Sequence, residues 1–172
     1  MQTKRKKQFH RQATRRYVAT VLVLTMLLAG LLMGAGRKTP VWHFPLSGVE
    51  WHVSDPYGAR TDPFTGQETF HHGIDLACAE GTGVLAAQDG VVLTAACSES
   101  YGNYLCIVHP DGYETRYAHL QYLYALPGEV VQAGQLLGTV GRTGRATGPH
   151  LHLELWEQGT DRNPAVLLEH AP

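Results

Sequence analysis

The 172-residue sequence is short of cysteine, of charge and of any long repeat, and each shortage excludes a class of protein. Three cysteines are too few to staple a disulfide-built miniprotein. No heptad, long helical period or low-complexity tract runs through the chain, so a coiled-coil spacer is excluded. Charged residues make up 17% against 44% hydrophobic, too apolar for a disordered chain, and the 19 glycines follow no fixed period, which excludes collagen. Lysine disappears after Lys38: residues 39–172 hold five arginines and all 15 acids, a net charge of −10. No nucleic-acid partner is expected of so acidic a body, because phosphate binding needs Lys and Arg to displace counterions. The length suits one ordinary domain rather than two.

The positive charge is concentrated at the start. Nine basic side chains and no acid occupy residues 1–38, and Tyr17 to Ala35 (YVATVLVLTMLLAGLLMGA) is 19 residues without a charge. As a helix rising 1.5 Å per residue, that run spans about 28 Å, close to the hydrocarbon core of a bilayer. Seven basic residues precede it and two follow, so the positive-inside rule places residues 1–16 in the cytoplasm. The run is longer than the apolar region of a cleaved signal peptide, about 7–15 residues, which favours a retained anchor over processing near Gly34, Ala35 and Gly36. No lipobox cysteine follows, and Thr14-Arg15-Arg16 continues poorly as a twin-arginine signal. The expected order is a basic cytoplasmic tail (1–16), a transmembrane anchor (17–36), a short linker (37–48) and one domain (49–172). The domain would face the periplasm or extracytoplasmic space from the cytoplasmic membrane.

Beyond the linker the pattern is strand-like. Short apolar or alternating runs at 84–87, 91–95, 104–109, 115–120, 136–140 and 151–156 are separated by Gly, Pro, Asn and Asp. Asp-Gly at 89–90 and at 111–112 lies between such runs, as hairpin turns require, and PGEVVQAGQLLGTVG is a further hairpin candidate. An all-β domain of antiparallel sheet or sandwich type is the expectation. Cys97 and Cys106 bracket SESYGNYL, which reads as a strand-to-strand connection. Outside the cytoplasm two readings stand side by side for them, a disulfide and two buried thiols. Cys78 reads as a small buried hydrophobe.

Histidine is where the chemistry gathers. In His150-Leu151-His152-Leu153-Glu154 the leucines alternate with the polar residues, so a strand puts both imidazoles and Glu154 on one face, the histidines about 6.6 Å apart. His71 and Asp75 would lie about 13 Å apart on an extended strand, too far to share an ion, but Gly73 between them permits a bend. Together these segments offer two histidines and a carboxylate, the protein ligands of an open zinc site. His72 reads as a neighbour rather than a ligand, and His109, before Pro-Asp-Gly, as a turn or core residue. Glu154 either orients an imidazole or faces solvent.

FHHGIDLACAEGTGVLAAQDGVV, YGNYLCIVHPDGYETRYAHL and GEVVQAGQLLGTVGRTGRATGPHLHLE resemble, in order and spacing, the motifs of lysostaphin/LytM-type peptidoglycan metalloendopeptidases. The resemblance covers about residues 44–168. It implies one Zn2+ per chain held by His71, Asp75 and His152, with His119 and His150 as catalytic histidines. It also implies a duplicated-hybrid-motif fold with lipoyl-like hairpins, and peptide crosslinks of peptidoglycan as substrate. A D,D-endopeptidase is favoured over a glycyl-glycine endopeptidase because no C-terminal wall-binding domain follows. Arg60, in Tyr-Gly-Ala-Arg, matches an arginine common in the family, open to a substrate-contact or a structural role. Some relatives have lost ligands and only activate cell-wall amidases; here every zinc and catalytic position is occupied. A lipoyl-like carrier is excluded because it needs an attachment lysine.

Overall fold

The computed structural model describes residues 41–48 and 50–169. The expected cytoplasmic tail and anchor lie outside them, and among the described residues no helix is long and apolar enough to cross a membrane. The strands are β1 (His52–Asp55), β2 (Gly58–Thr61), β3 (Glu68–His71), β4 (Ile74–Ala77), β5 (Gly83–Leu85) and β6 (Gly90–Ser98). They continue with β7 (Gly102–Val108), β8 (Tyr113–Leu123), β9 (Val130–Val131), β10 (Leu136–Val140), β11 (His150–Glu157) and β12 (Thr160–Arg162). A 3₁₀ turn over Pro164–Leu168 follows, its first amide capped by the Asn163 side chain.

The protein is all-β. One large antiparallel sheet runs β1-β4-β11-β8-β7-β6-β9, with β10 joining β8 to β5 and β12 paired to β11; β2 and β3 form a separate two-stranded ribbon. The alternation in β11 works as the sequence suggests: Leu151, Leu153 and Leu155 enter the core. The opposite face is not left to solvent, however, because His150, His152 and Glu154 are buried too. Strand β8 has the same two-sidedness. Its Thr115 and Tyr117 face a closed polar chain in which the Tyr117 hydroxyl accepts the Ala87 amide (2.9 Å) and bonds Thr115 (3.0 Å). His109 completes it, with Nδ1–H donating to the Asp89 carbonyl (2.9 Å) and Nε2 bonded to the Thr115 hydroxyl (2.8 Å).

Four sequence expectations are corrected. The end of the 37–48 linker is core: Trp42, Phe44 and Leu46 are buried at 5%, 4% and 2% exposure, and Leu46 bridges to Val84. Their period-2 spacing is that of an extended segment with one apolar face. Asp89-Gly90 does not turn a hairpin, since β5 pairs with β10 while β6 pairs with β7 and β9. Gly90 is there for room, because a Cβ would lie 2.6 Å from Ile107 Cγ2 and from the Val108 carbonyl. Nor do β9 and β10 pair with each other; each goes to a different partner. The disulfide is absent: Cys97 and Cys106 are free. They do lie on paired strands, but Cys97 sits opposite Asn103 and Cys106 opposite Thr94. Three rungs of offset is about 10 Å, beyond the roughly 7 Å Cα separation a disulfide spans. Cys106 is buried, and that burial together with the Glu114 carboxylate pushes its thiol up to about 12. The predicted Asp111-Gly112 turn between β7 and β8 is present, and the SESYGNYL connection joins β6 to β7 as read.

Candidate metal centre

The β3–β4 connection supplies the first two groups. Strand β3 ends at His71, two residues turn the chain, and Asp75 on β4 comes back so that its Oδ1 lies 3.3 Å from His71 Nε2. Strand β11 pairs with β4 in a register that sets His152 opposite Asp75. His152 Nδ1 is 2.7 Å from the same Oδ1 and 3.1 Å from His71 Nε2. Gly73 does more than bend the chain. A Cβ on it would stand 2.6 Å from His152 Cε1 and 2.8 Å from the Leu153 carbonyl, so only glycine leaves the imidazole its place.

The outer nitrogens fix which lone pairs face inward. His71 Nδ1–H donates to the Pro56 carbonyl (2.9 Å); a carbonyl only accepts, so Nε2 is the basic nitrogen of the neutral ring. On His152 the outer Nε2 meets Glu154 Oε1 at 3.2 Å, leaving Nδ1 for the cluster. His71 Nε2, Asp75 Oδ1 and His152 Nδ1 therefore converge with separations of 2.7–3.3 Å. Four tetrahedral ligands at about 2.0–2.1 Å from zinc stand roughly 3.3 Å apart. The donor set and its spacing fit one divalent cation.

Electrostatics favour a positive charge there. Burial works against the Asp75 carboxylate, yet the facing His152 and His71 imidazoles hold it well below the usual carboxylate range. Burial likewise disfavours a charged His152, but the Asp75 and Glu154 carboxylates on either side push the ring up to about 9. Glu154 is 2% exposed and fully engaged. Besides His152, it accepts from the Tyr101 hydroxyl (2.6 Å), Trp156 Nε1 (2.7 Å) and Arg116 (3.2 Å). Despite burial, these bonds hold its carboxyl down at about 2. Of its two possible roles, Glu154 thus takes the orienting one.

Two further imidazoles face the cluster. His119 sits where β8 changes partner: Ala118 pairs with His152 on β11 and Leu120 with Val140 on β10. At that point the backbone is left-handed, φ 62°, and the His119 amide donates to the Tyr101 carbonyl (2.8 Å) instead of to a neighbouring strand. Its Nδ1–H donates to the Thr143 carbonyl (2.8 Å), and burial lowers the ring to about 4. His150 Nδ1–H donates to the Gly148 carbonyl (2.8 Å), its Nε2 lies 3.6 Å from Asp75 Oδ2, and its ring is 4.7 Å from that of His119. Both rings thus keep Nε2 as the proton acceptor.

All five histidine and aspartate positions singled out by sequence come together. Arg60 is ion-paired with Asp55, whose carboxylate stands 3.9 Å from the outer nitrogen of His71. His72 is outside the cluster, bonded to Asp161 (2.9 Å), which also accepts the Tyr57 hydroxyl (2.8 Å). Sequence reading missed Tyr101, Arg116 and Trp156 around Glu154, and the two carbonyls of the 142–148 loop that orient His119 and His150. Trp156 alone carried a signal, being in step with His150, His152 and Glu154 on β11.

Two imidazoles and a carboxylate on a β-sheet, facing two more imidazoles, form the donor set of a mononuclear metallohydrolase. The sequence profile of peptidase family M23 matches residues 69–164, and the chain belongs to that family. The peptidoglycan DD-endopeptidase ShyC of Vibrio cholerae is 46% identical over 108 residues, covering 63% of this chain and 25% of its own length. The DD-carboxypeptidase/endopeptidase Mpg of Neisseria meningitidis is 43% identical over 116 residues, covering 67% and 27%. This chain spans about a quarter of the length of these curated relatives. Among solved structures, a zinc-containing peptidase from Vibrio cholerae superposes with TM-score 0.67 at 32% identity, over 72% of this chain and 39% of that one. The catalytic domain of lysostaphin from Staphylococcus simulans superposes with TM-score 0.62 at 29% identity, over 70% and 92%.

Proposed function

We propose that the chain is a zinc-dependent endopeptidase that hydrolyses peptide crosslinks of bacterial peptidoglycan, with D-Ala–diaminopimelate bonds as substrate. The observation that carries this reading is the convergence of His71 Nε2, Asp75 Oδ1 and His152 Nδ1 beside His119 and His150. The names of the relatives supply the substrate class. His71, Asp75 and His152 would hold one zinc ion, and that ion would supply Lewis acidity, activating water near neutral pH and polarising the scissile carbonyl.

The chain's own residues do the rest. The Thr143 and Gly148 carbonyls hold the His119 and His150 rings with Nε2 free to take a proton. Burial keeps His119 neutral at physiological pH, as an acceptor must be. One of the two rings takes the proton from water; the other steadies the developing oxyanion or returns a proton to the leaving amine. Glu154 keeps His152 in the tautomer that directs Nδ1 inward.

In the same reading the basic segment 1–16 is cytoplasmic and 17–36 is a single membrane anchor. The domain faces the cell wall, and its hairpins follow the lipoyl-like duplicated hybrid motif. The full chain, purified in detergent, should cleave defined crosslinked muropeptides, read by mass spectrometry. Cleavage should stop with a chelator and return with zinc. Stimulation of an amidase with no cleavage of its own would overturn the proposal.

A further inference from the structure

The β2–β3 ribbon has no place in the large sheet and is mostly exposed from Gly58 through Phe70. A lone two-stranded ribbon is marginal in water. Yet its last residue, His71, belongs to the candidate metal centre. The 142–148 loop is different, because it is pinned from beneath. Gly144 has φ 71°, and a Cβ there would collide with the Gly102 amide. Arg145 N–H donates to the Ser100 carbonyl (2.9 Å), while the Thr143 hydroxyl bonds the Leu120 carbonyl (2.8 Å) and accepts the Asn103 amide (3.0 Å).

The tips of the soft ribbon and the pinned loop meet. Arg145 Nη2 reaches both Asp62 oxygens, at 2.8 and 3.0 Å, and the guanidinium lies 4.5 Å over the Phe64 ring. The Asp62 carboxylate is already aimed, since it accepts the Phe64 and Thr65 amides at 2.8 and 2.9 Å. The pair joins residues 83 positions apart. No other ion pair runs between the ribbon and that loop among the described residues.

We propose that Asp62 and Arg145 form a clasp holding the His71-bearing ribbon against the loop that orients His119 and His150. They are thus positioning residues for the peptidase reaction, acting on how substrate is held between these two walls. This rests on the peptidase reading. Exposed ion pairs add little to global stability, so the clasp's loss should register in substrate handling and not in melting. Salt should weaken it, since an exposed pair is screened within a Debye length of about 8 Å at physiological ionic strength.

The test uses the full chain with Asp62→Asn, which keeps an acceptor for the two amides and removes only the charge, and with Arg145→Gln and Arg145→Lys. Zinc content, melting temperature, KM and kcat on a crosslinked muropeptide are measured, together with amide hydrogen exchange over residues 58–70. For Asp62→Asn and Arg145→Gln, KM should rise about 3- to 5-fold, the size of effect an exposed ion pair carries, with kcat, zinc and melting unchanged. Exchange in the ribbon should speed up, Arg145→Lys should recover most of the KM, and high salt should raise KM in the wild type but not in Arg145→Gln. Wild-type KM and exchange in both charge-removing variants would overturn the clasp. If the wild type cleaves nothing, the peptidase reading falls, and exchange alone decides the clasp: faster in Arg145→Gln sustains it, unchanged removes it.

Discussion

His109, just past the end of β7, and His152, on β11, are both buried, yet burial ends differently for them. His109, 0% exposed, hydrogen-bonds only to neutral groups, a carbonyl and a hydroxyl, and burial lowers its pKa against a weaker pull from Asp111 and Asp89. His152, 8% exposed, lies between two carboxylates that push it up to about 9 against the same desolvation. Strand β8 borders both regions, with Thr115 and Tyr117 on the closed side and Arg116 and His119 on the other. Burial alone makes a histidine structural. Convergent negative charge and inward lone pairs turn it toward a cation.

The sharpest way to break this contrast is to remove the imidazoles of the charged region. His152→Ala should lose zinc and hydrolysis together. His150→Ala should keep zinc, measured by atomic absorption, and lose about 10²- to 10⁴-fold in turnover. Wild-type cleavage by His150→Ala would remove it from catalysis. Glu154→Gln takes the charge from beneath His152 and should weaken zinc about 10- to 100-fold, read by competition with a chromophoric chelator, with the fold intact. On the neutral side, Tyr117→Phe strips the partner of the buried Ala87 amide. It should cost about 1–3 kcal/mol in denaturant unfolding, zinc content staying at the wild-type level.

Acid separates the regions more gently. His109 has a lowered pKa in the fold, so the unfolded chain binds its proton first as pH falls past the ordinary value of 6.5. Stability should therefore drop as pH falls from about 6.5 toward the folded pKa, and His109→Gln should flatten that part of the unfolding-versus-pH curve. The smallest effect belongs to Cys97→Ser. With both thiols free, it should leave melting unchanged under oxidising and reducing conditions alike.

Much of the site was legible because it is written in short local patterns. His-x-His on a strand puts two rings on one face whatever surrounds them, and the His71–Asp75 pair needs only one turn. The strand runs were legible for the same reason, as the exact match of 136–140 to β10 shows. What failed was pairing over distance. Asp89-Gly90 has hairpin chemistry, but the partner of β5 lies some fifty residues on, at β10. The cysteines were placed on neighbouring strands, but register, which decides whether they touch, is not visible in their spacing. Trp42, Phe44 and Leu46 were read as linker because an apolar alternation counts as strand only once something is there to cover it. The Glu154 donors and the Asp62–Arg145 pair come from loops and strands far apart in the chain.

His119 carries one more lesson. An L-residue with a side chain sits uneasily at φ 62°, by roughly 1–2 kcal/mol, and glycine would rest there at ease. A chain selected for calm folding alone would place glycine at that crossing of two strand partners. The molecule instead tolerates a twist in its own spine, and what it gets in return is an imidazole aimed where neither flanking strand could have aimed it.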